Sequence, residues 1–339
     1  MKKKLKKYLN IIILVLITAL VLYFSLKDNF VETINQILTM NIWYLLVAFI
    51  LLILFWIFRS YPMYCFSKKI NKDFKYMQSL QLVLRTQFFN AVTPFATGGQ
   101  PYQIYYLKQC GLDYASSTSV VLENFIVYQI ALVLLGLIAL FCNKAFHIFS
   151  KMYLLQKFIA LGFIINTLVI VLMFVLAFSK KLNKKLIKFA ISVLTKLHIV
   201  KNREEKLSKW DSNINKFHES AKVLLKNKKD FILNILYNFI ALCSLYLIPL
   251  FIAFSMDEFD IFSGGVAIVT SAYIMIIGSF VPIPGGTGGI EYGYIFFFSY
   301  LIKGNILTAS MLLWRLISYY LAIIIGGICL MTYRKKEKT

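Results

Sequence analysis

Two short stretches rich in proline and glycine, 190 positions apart, interrupt the apolar sequence of this 339-residue chain. The first runs from Pro94 to Tyr102 (PFATGGQPY) and the second from Pro284 to Tyr292 (PGGTGGIEY), so that Pro, Thr, Gly, Gly and Tyr coincide. Proline and glycine break helices, and lipid tolerates a broken backbone only where protein or a water-filled cavity covers it. Matched breaks in two halves of a membrane protein indicate a transport site.

The apolar content of the chain is far above that of a soluble protein. Hydrophobic residues make up 59% of the sequence, and apolar runs long enough to cross ~30 Å of hydrocarbon recur along it. We therefore predict an all-α integral membrane protein, a polytopic helix bundle that forms a single transmembrane domain over residues 1–339. No region is long and polar enough to form a separate catalytic domain.

The net charge of +22 is concentrated in segments that alternate with less basic ones. Met1–Tyr8 contains five lysines, and Lys180–Asp230 contains fifteen basic and five acidic residues, whereas Met256–Asp260 is acidic. This alternation follows the positive-inside rule and predicts a multi-pass protein of the cell membrane with both termini and the segment 180–230 in the cytoplasm. It argues against nucleic acid as a partner. Around Ile187–Leu197 the basic segment is predicted to form an amphipathic helix on the membrane surface.

The apolar runs divide the chain into spans and interrupted stretches. Six spans are predicted, at about Leu9–Leu26, Ile42–Phe66, Ala115–Cys142, Leu154–Phe178, Phe231–Phe254 and Ile306–Tyr333. Two further stretches, Tyr76–Gln109 and Phe262–Leu301, contain the matched motifs and are predicted to be re-entrant hairpins. The order span, hairpin, span thus occurs twice, at about 42–142 and 231–333. Three crossings separate the hairpins, so the second copy is upside down, as in an inverted-topology repeat.

The glycines of each motif have a chemical consequence. A glycine-rich turn in front of a helix leaves backbone N–H groups directed at one place, which attracts phosphate or carboxylate. We expect the two motifs to approach each other and to form one site. No Lys-Ser/Thr follows the glycines, so neither motif is a nucleotide P-loop. Close helix packing around small residues is the alternative explanation, and both can hold together.

Four ionisable residues are predicted to lie at membrane depth, where charge is costly and therefore suggests function. They are Arg85, Glu123, Glu291 and Arg315. Glu291 and Arg315 can pair with each other, or Arg315 and Arg85 can bind a lipid phosphate; salt bridges that only hold the bundle together are the alternative. Arg59 is expected to extend to a membrane interface.

The polar residues of the motifs and these ionisable groups together form the predicted substrate site. Its candidate residues are Arg85, Thr97, Gly98, Gly99, Gln100, Gln103, Glu123, Thr287, Gly288, Gly289, Glu291 and Arg315. The five cysteines have no metal or disulfide spacing, and no nucleophile–base arrangement is present. No catalytic residue, metal or cofactor is therefore predicted, and an enzyme is not expected.

Three segments resemble a known family. Thr93–Leu107, Pro282–Tyr294 and Trp314–Gly326 are similar to the lysylphosphatidylglycerol synthase transmembrane-region family, the membrane half of the multiple peptide resistance factor. The resemblance covers nearly the whole chain. It implies a flippase that moves phospholipid, including aminoacylated phosphatidylglycerol, between leaflets, with a link to antibiotic resistance. Many relatives have Glu and Arg after the first glycines and Arg in the next span, where this chain has Gln100, Gln103 and Asn124, so the lipid specificity does not carry over.

Full-length members of that family also carry a soluble domain that transfers lysine from lysyl-tRNA to phosphatidylglycerol. This chain ends at Thr339, soon after the last predicted span, so phosphatidylglycerol lysyltransferase activity is not expected. Two main hypotheses follow. The first is a lipid flippase whose partners are membrane phospholipids, and the second is a membrane subunit that presents lipid to a separate transferase. A structural scaffold is a third, and the sequence leaves the oligomeric state open.

Overall fold

The computed structural model describes residues 30–149, 159–165, 167–168, 171–172, 175, 179–196, 203–257, 263–278, 281–302 and 304–332. Within these ranges the protein consists of helices and the turns between them, which confirms the predicted all-α class. The predicted span at 9–26 lies outside the described residues, and the span at 154–178 lies mostly outside them. Six crossings therefore stay a prediction.

The helices fall into two halves and a central pair. The first half contains α1 (Phe30–Thr39), α2 (Ile42–Ile70), α3 (Tyr76–Ala91), α4 (Gly99–Gln109) and α5 (Tyr114–Phe146). The central pair is α6 (Lys180–Lys196) and α7 (Arg203–Leu225). The second half contains α8 (Lys228–Tyr246), α9 (Ile248–Ser255), α10 (Gly264–Gly278), α11 (Gly289–Phe298), α12 (Asn305–Arg315) and α13 (Leu321–Met331). Two short 3-10 segments, the first turn (Pro94–Ala96) and the second turn (Pro284–Gly286), interrupt the halves, and a π-helical segment (Leu316–Tyr320) joins α12 to α13.

Among the residues that the structure describes, four helical segments are long and apolar enough to cross a membrane: α2, α5, α8 with α9, and α12 with α13. They correspond to four of the predicted spans. Side-chain caps fix where three of them begin, because the side chains of Asn41, Asp113 and Asn227 accept hydrogen bonds from the first backbone N–H groups of α2, α5 and α8. Pro249 at the start of α9 accounts for the break after α8.

The two halves are packed as an antiparallel pair. At one end of α2, Lys69 Nζ lies 2.8 Å from Asp230 Oδ2 near the start of α8. At the other end, the Asn41 N–H donates to the Ser255 carbonyl at the end of α9, at 2.7 Å. The equivalent helices of the two halves therefore run in opposite directions, as an inverted repeat requires.

The remaining contacts repeat in the same way. Helix α3 of the first half packs on α13 of the second, and its counterpart α10 packs on α5 of the first. Within each half, the hairpin arms contact each other, α3 with α4 and α10 with α11, and the second arm contacts the following span. This exchange of partners is what two copies related by a two-fold axis produce.

The basic segment forms a helical pair that is fixed to the bundle. Helix α7 packs on α5, where the hydroxyls of Ser116 and Ser220 lie 3.1 Å apart. Lys184 in α6 pairs with Asp211 in α7 at 2.6 Å, and this hydrogen bond lowers the pKa of the Asp211 carboxyl. The predicted amphipathic helix is thus present as α6, with Phe189 exposed among its lysines. Its position on the membrane surface stays a prediction.

Candidate functional site

The first and second turns contact each other inside the bundle, with Cα atoms no more than 8 Å apart. Each turn places two successive residues in the left-handed region. These are Phe95 (φ 52°) and Ala96 (φ 53°) in the first turn, and Gly285 (φ 68°) and Gly286 (φ 62°) in the second. The same unusual backbone therefore occurs twice, 190 positions apart, which agrees with the predicted repeat. The approach of the two broken segments, expected from the sequence, is present in the structure.

The two turns differ in how far they are enclosed. In the first, Pro94 to Thr97 are exposed, and Phe95 is 57% exposed. In the second, Pro284, Gly286 and Thr287 are buried. The first turn thus faces the surroundings of the protein, whereas the second is sealed by its neighbours.

Arg315 and Glu291 form a buried ion pair that organises the second turn. Arg315 Nε lies 2.7 Å from Glu291 Oε1, and both side chains are 6% exposed. Arg315 Nη2 donates to the Gly285 carbonyl at 3.3 Å and to Thr287 Oγ1 at 3.4 Å. The guanidinium also lies 4.1 Å from the centroid of the Tyr319 ring. Of the two partners expected for Arg315, the structure shows Glu291.

The carboxylate of Glu291 also fills the anion site at the start of α11. Its Oε2 accepts a hydrogen bond from the Gly288 N–H at 2.7 Å, an arrangement typical of a helix capping box. The anion at the second motif is therefore a side chain of the same helix, and binding of an external phosphate or carboxylate at the motifs stays a prediction.

Tyr319 connects the last span to the second turn and to the end of α3. It lies in the π-helical segment that begins directly after Arg315, and such segments are frequent at functional sites. Its hydroxyl donates to the Ala91 carbonyl at the end of α3, at 3.1 Å. A Cβ atom at Gly285 would overlap this hydroxyl. The space for the Tyr319 side chain therefore exists only because position 285 is glycine.

The first half lacks the ion pair, because Pro101 and Phe125 stand 190 positions before Glu291 and Arg315. At the start of α4 the Gly98 N–H donates to Thr93 Oγ1 at 2.9 Å. Gly99 packs against Asn90, whose buried Oδ1 has no hydrogen-bond partner among the described residues.

Two glutamines of the predicted site lie on α4. Gln103 is buried and donates to Thr86 at 3.4 Å, and Gln100 is half-buried. The start of α4 is thus polar and lies next to the exposed Thr97, and no acidic residue of α4 occupies it.

Arg85 contacts residues of α3, α4 and α13. The side chain is 2% exposed, Nε donates to the Cys329 carbonyl at 3.0 Å, and Nη2 donates to Gln81 Oε1 at 3.2 Å. The guanidinium also lies 5.2 Å from the Tyr106 ring centroid. In this conformation Arg85 joins α3 to α13.

Glu123 lies on α5, next in sequence to Asn124, which belongs to a second polar region where α2, α5 and α8 meet. It is fully buried, and neither carboxyl oxygen has a hydrogen-bond partner within the described ranges. The adjacent Asn124 accepts a hydrogen bond from Arg59 Nη1 at 3.3 Å, and Asn238 accepts from the same nitrogen at 2.9 Å. The guanidinium of Arg59 also lies 4.2 Å from the Tyr128 ring centroid.

The expectation that Arg59 extends to an interface is therefore wrong. Two inward amides and an aromatic ring hold its guanidinium inside the bundle. The sequence contains an indication of this contact, because Arg59 lies well inside one predicted span, and Asn124 and Asn238 lie inside two others.

Comparison with known proteins agrees with this architecture. Residues 11–326 match the family described as the Lysylphosphatidylglycerol synthase TM region. The chain belongs to this family. It is also 25% identical to a UPF0104 membrane protein of Archaeoglobus fulgidus, over 84% of each chain. A UPF0104 membrane protein of Pyrococcus horikoshii is 27% identical, over 97% of this chain and 98% of the relative. The resemblance of the sequence motifs is thereby confirmed, and the membership identifies an integral membrane protein of a lipid-related family.

Proposed function

We propose that the protein is a flippase that moves phospholipid between the leaflets of the cell membrane, with the headgroup passing the paired turns. One observation carries this proposal: the same turn occurs in two antiparallel halves, and the two copies meet. One copy is filled by the carboxylate of Glu291 and sealed, whereas the other is exposed and has no acid of its own.

The second turn, which Glu291 fills, indicates what the exposed first turn binds. In the second half, the backbone N–H of Gly288 holds a carboxylate oxygen. In the first half, Pro101 stands at the position of Glu291, and Thr93 Oγ1 accepts the hydrogen bond of the Gly98 N–H. An external anion at the start of α4 would replace this neutral hydroxyl. A lipid phosphate has the required charge, and the exposure of Pro94 to Thr97 gives it access from the surroundings. Asn90, Gln100 and Gln103 supply neutral polar atoms for the rest of the headgroup.

The lipid class proposed is an anionic or aminoacylated phospholipid of the phosphatidylglycerol type. The basic charge of the chain favours an anionic lipid, and the name of the family refers to lysylphosphatidylglycerol. The acyl chains would stay in lipid along the exposed apolar residues of the spans.

A membrane subunit that presents lipid to a separate transferase is the second candidate. The exposed Phe189 among the lysines of α6 would supply the contact surface for such a partner. A flippase moves lipid alone in vesicles, whereas a presenting subunit needs its transferase.

The test places an acid in the open copy. We expect the purified protein, in phosphatidylcholine vesicles with a fluorescent phosphatidylglycerol, to speed the transfer of the probe between leaflets, measured by dithionite quenching. Pro101→Glu should supply the first half with its own capping carboxylate and lower this rate at least about tenfold, as expected for loss of one charge-assisted contact of about 1.5–3 kcal/mol. Pro101→Gln is the matched neutral control and should keep most of the rate. Equal rates for the two variants would contradict the proposed headgroup site.

A further inference from the structure

We propose that Arg59 is the centre of a phosphate-binding site inside the bundle, built from other residues than the anion site at the first turn. Its ligand is the phosphate group of a membrane lipid or free inorganic phosphate, which offer the same oxygen atoms. This binding does not rest on the proposed function, because a phosphate can be held at Arg59 without movement of lipid between leaflets.

Arg59 has a positive charge that no carboxylate balances. Among the described residues no ion pair includes it, and its hydrogen-bond partners are the neutral amides of Asn124 and Asn238. The Tyr128 ring, 4.2 Å from the guanidinium, adds a weak attraction. A guanidinium stays charged in a protein, and a charge at membrane depth is costly without a partner of opposite sign. An anion at Arg59 would therefore stabilise the bundle.

One edge of the guanidinium is free to hold that anion. Asn124 and Asn238 both accept from Nη1, whereas Nε and Nη2 of Arg59 donate to no described residue. The Nε and Nη2 N–H groups are parallel, and arginine uses such an edge to bind two oxygens of one phosphate. The Arg59 side chain is half-buried rather than sealed, so a ligand can reach this edge.

Helix α8 has a second unpaired polar group one turn from this contact. Asn238 Nδ2 donates to the Asn234 carbonyl at 2.9 Å, and the two side chains lie on the same side of α8 because they are four positions apart. Asn234 is 1% exposed, and neither its Oδ1 nor its Nδ2 has a partner among the residues that the structure describes. Buried amides are nearly always paired. The Asn234 amide is therefore available to complete the polar surroundings of a ligand at Arg59.

The repeat indicates that helix packing does not require this polar group. The positions 190 after Arg59 and Asn124 are occupied by Pro249 and Trp314 in the second half, and both of these apolar residues are buried. The corresponding helices of the second half thus pack without a charge at this place. Apolar residues often replace buried charges without loss of stability, so the charge of Arg59 is better explained by binding than by packing.

Thermal unfolding in phosphate-free detergent solution tests the site with two probes, inorganic phosphate and a short-chain phosphatidylglycerol. We expect at least one of them to raise the unfolding temperature of the wild-type protein in a saturable manner. A short-chain diacylglycerol, which lacks the phosphate, should not do so. A response to both probes supports phosphate itself as the ligand, and a response to the lipid alone supports the lipid headgroup. No response to either probe would overturn the proposal.

Substitution assigns the response to Arg59. Arg59→Gln should weaken the apparent affinity for the probe at least about tenfold, as expected for loss of a charge-assisted contact. Lys222→Gln, at an exposed position on α7, also removes one positive charge and is the matched control, which should keep the wild-type affinity. Arg59→Lys retains the charge without the two parallel N–H groups, so it should also bind more weakly, and it decides the question if Arg59→Gln does not fold. Wild-type affinity in either Arg59 variant would overturn the proposal.

Pro101→Glu separates this site from the headgroup site at the first turn. The response to the probe should persist in Pro101→Glu and be lost in Arg59→Gln. The reverse result would overturn the Arg59 site and support the proposed function. A response that persists in Pro101→Glu, together with unchanged lipid movement in that variant, would refute the proposed headgroup site and support the Arg59 site.

Discussion

At the scale of single residues, the structure decides which of two partners Arg315 has. The sequence indicated that a charge deep in the last span needs one, and it left the choice between Glu291 and a lipid phosphate open. The ion pair at 2.7 Å and the bonds to Gly285 and Thr287 show that Arg315 holds the second turn in this conformation. Spacing along the chain could not decide this, because the pair depends on how α11 packs on α12.

Arg315→Gln should therefore destabilise the protein. It leaves the Glu291 carboxylate buried without its cation, and breaking a buried pair in this way costs about 3–5 kcal/mol. The double variant Glu291→Gln with Arg315→Gln should recover much of the loss, since no uncompensated charge remains. Thermal unfolding in detergent measures the stability of the single and of the double variant. A single variant as stable as the wild-type protein would show that the pair does not support the fold.

Gly285→Ala should destabilise the protein through the Tyr319 side chain as well as through the backbone. At a φ angle of 68°, alanine costs about 1–2 kcal/mol. A Cβ at 285 would also overlap the Tyr319 hydroxyl, so the total loss should exceed this backbone cost. In a Tyr319→Ala protein, which lacks the ring, Gly285→Ala should cost only the backbone strain, and unfolding in detergent measures both losses. Equal losses in the two backgrounds would mean that Tyr319 yields easily and does not fix the turn.

At the scale of helices and turns, most elements follow from the sequence. The apolar run at 115–142 is the helix Tyr114–Phe146, and the two Pro/Gly motifs are the two turns. The π-helical segment could not be predicted, because a single wider turn leaves no periodic pattern. Nor could the left-handed backbone of Phe95 and Ala96, since these residue types ordinarily avoid it. Gly285 and Gly286 have the same left-handed conformation in the second turn. The conformation therefore belongs to the repeated turn and does not follow from the residue types at positions 95 and 96.

The first turn should store strain at Phe95. Phe95→Gly should stabilise the protein by about 1 kcal/mol, because glycine adopts φ near 52° without the steric cost that a Cβ imposes. Phe95→Ala removes the same ring but keeps the Cβ, so it separates strain from loss of the exposed side chain. Chemical or thermal unfolding in detergent gives the comparison. If Phe95→Gly is no more stable than Phe95→Ala, the turn is not strained there.

At the scale of the whole molecule, the antiparallel halves were predictable from two independent patterns, the offset of 190 positions and the alternation of basic segments. The hydrogen bonds that join the halves could not be predicted. Arg59 and Asn238 are 179 positions apart, and no pattern in either span shows that they meet. The glycines in the sequence therefore located the candidate site. Only the packing of the helices shows that Glu291 fills the second turn and that the first turn is exposed.

Cross-linking the two turns during transport tests whether lipid passes where they meet. In a protein without its five native cysteines, Ala96→Cys and Pro282→Cys place thiols on the exposed first turn and at an exposed residue two positions before the second turn. A reducible cross-linker of about 10 Å, roughly one helix diameter, should then join the halves. We predict that the cross-linked protein moves fluorescent phosphatidylglycerol at least about tenfold more slowly than the same protein after reduction. Each single-cysteine protein should be unaffected by the reagent. Lipid movement at the same rate before and after reduction of a fully cross-linked sample would contradict the passage of lipid between the two turns.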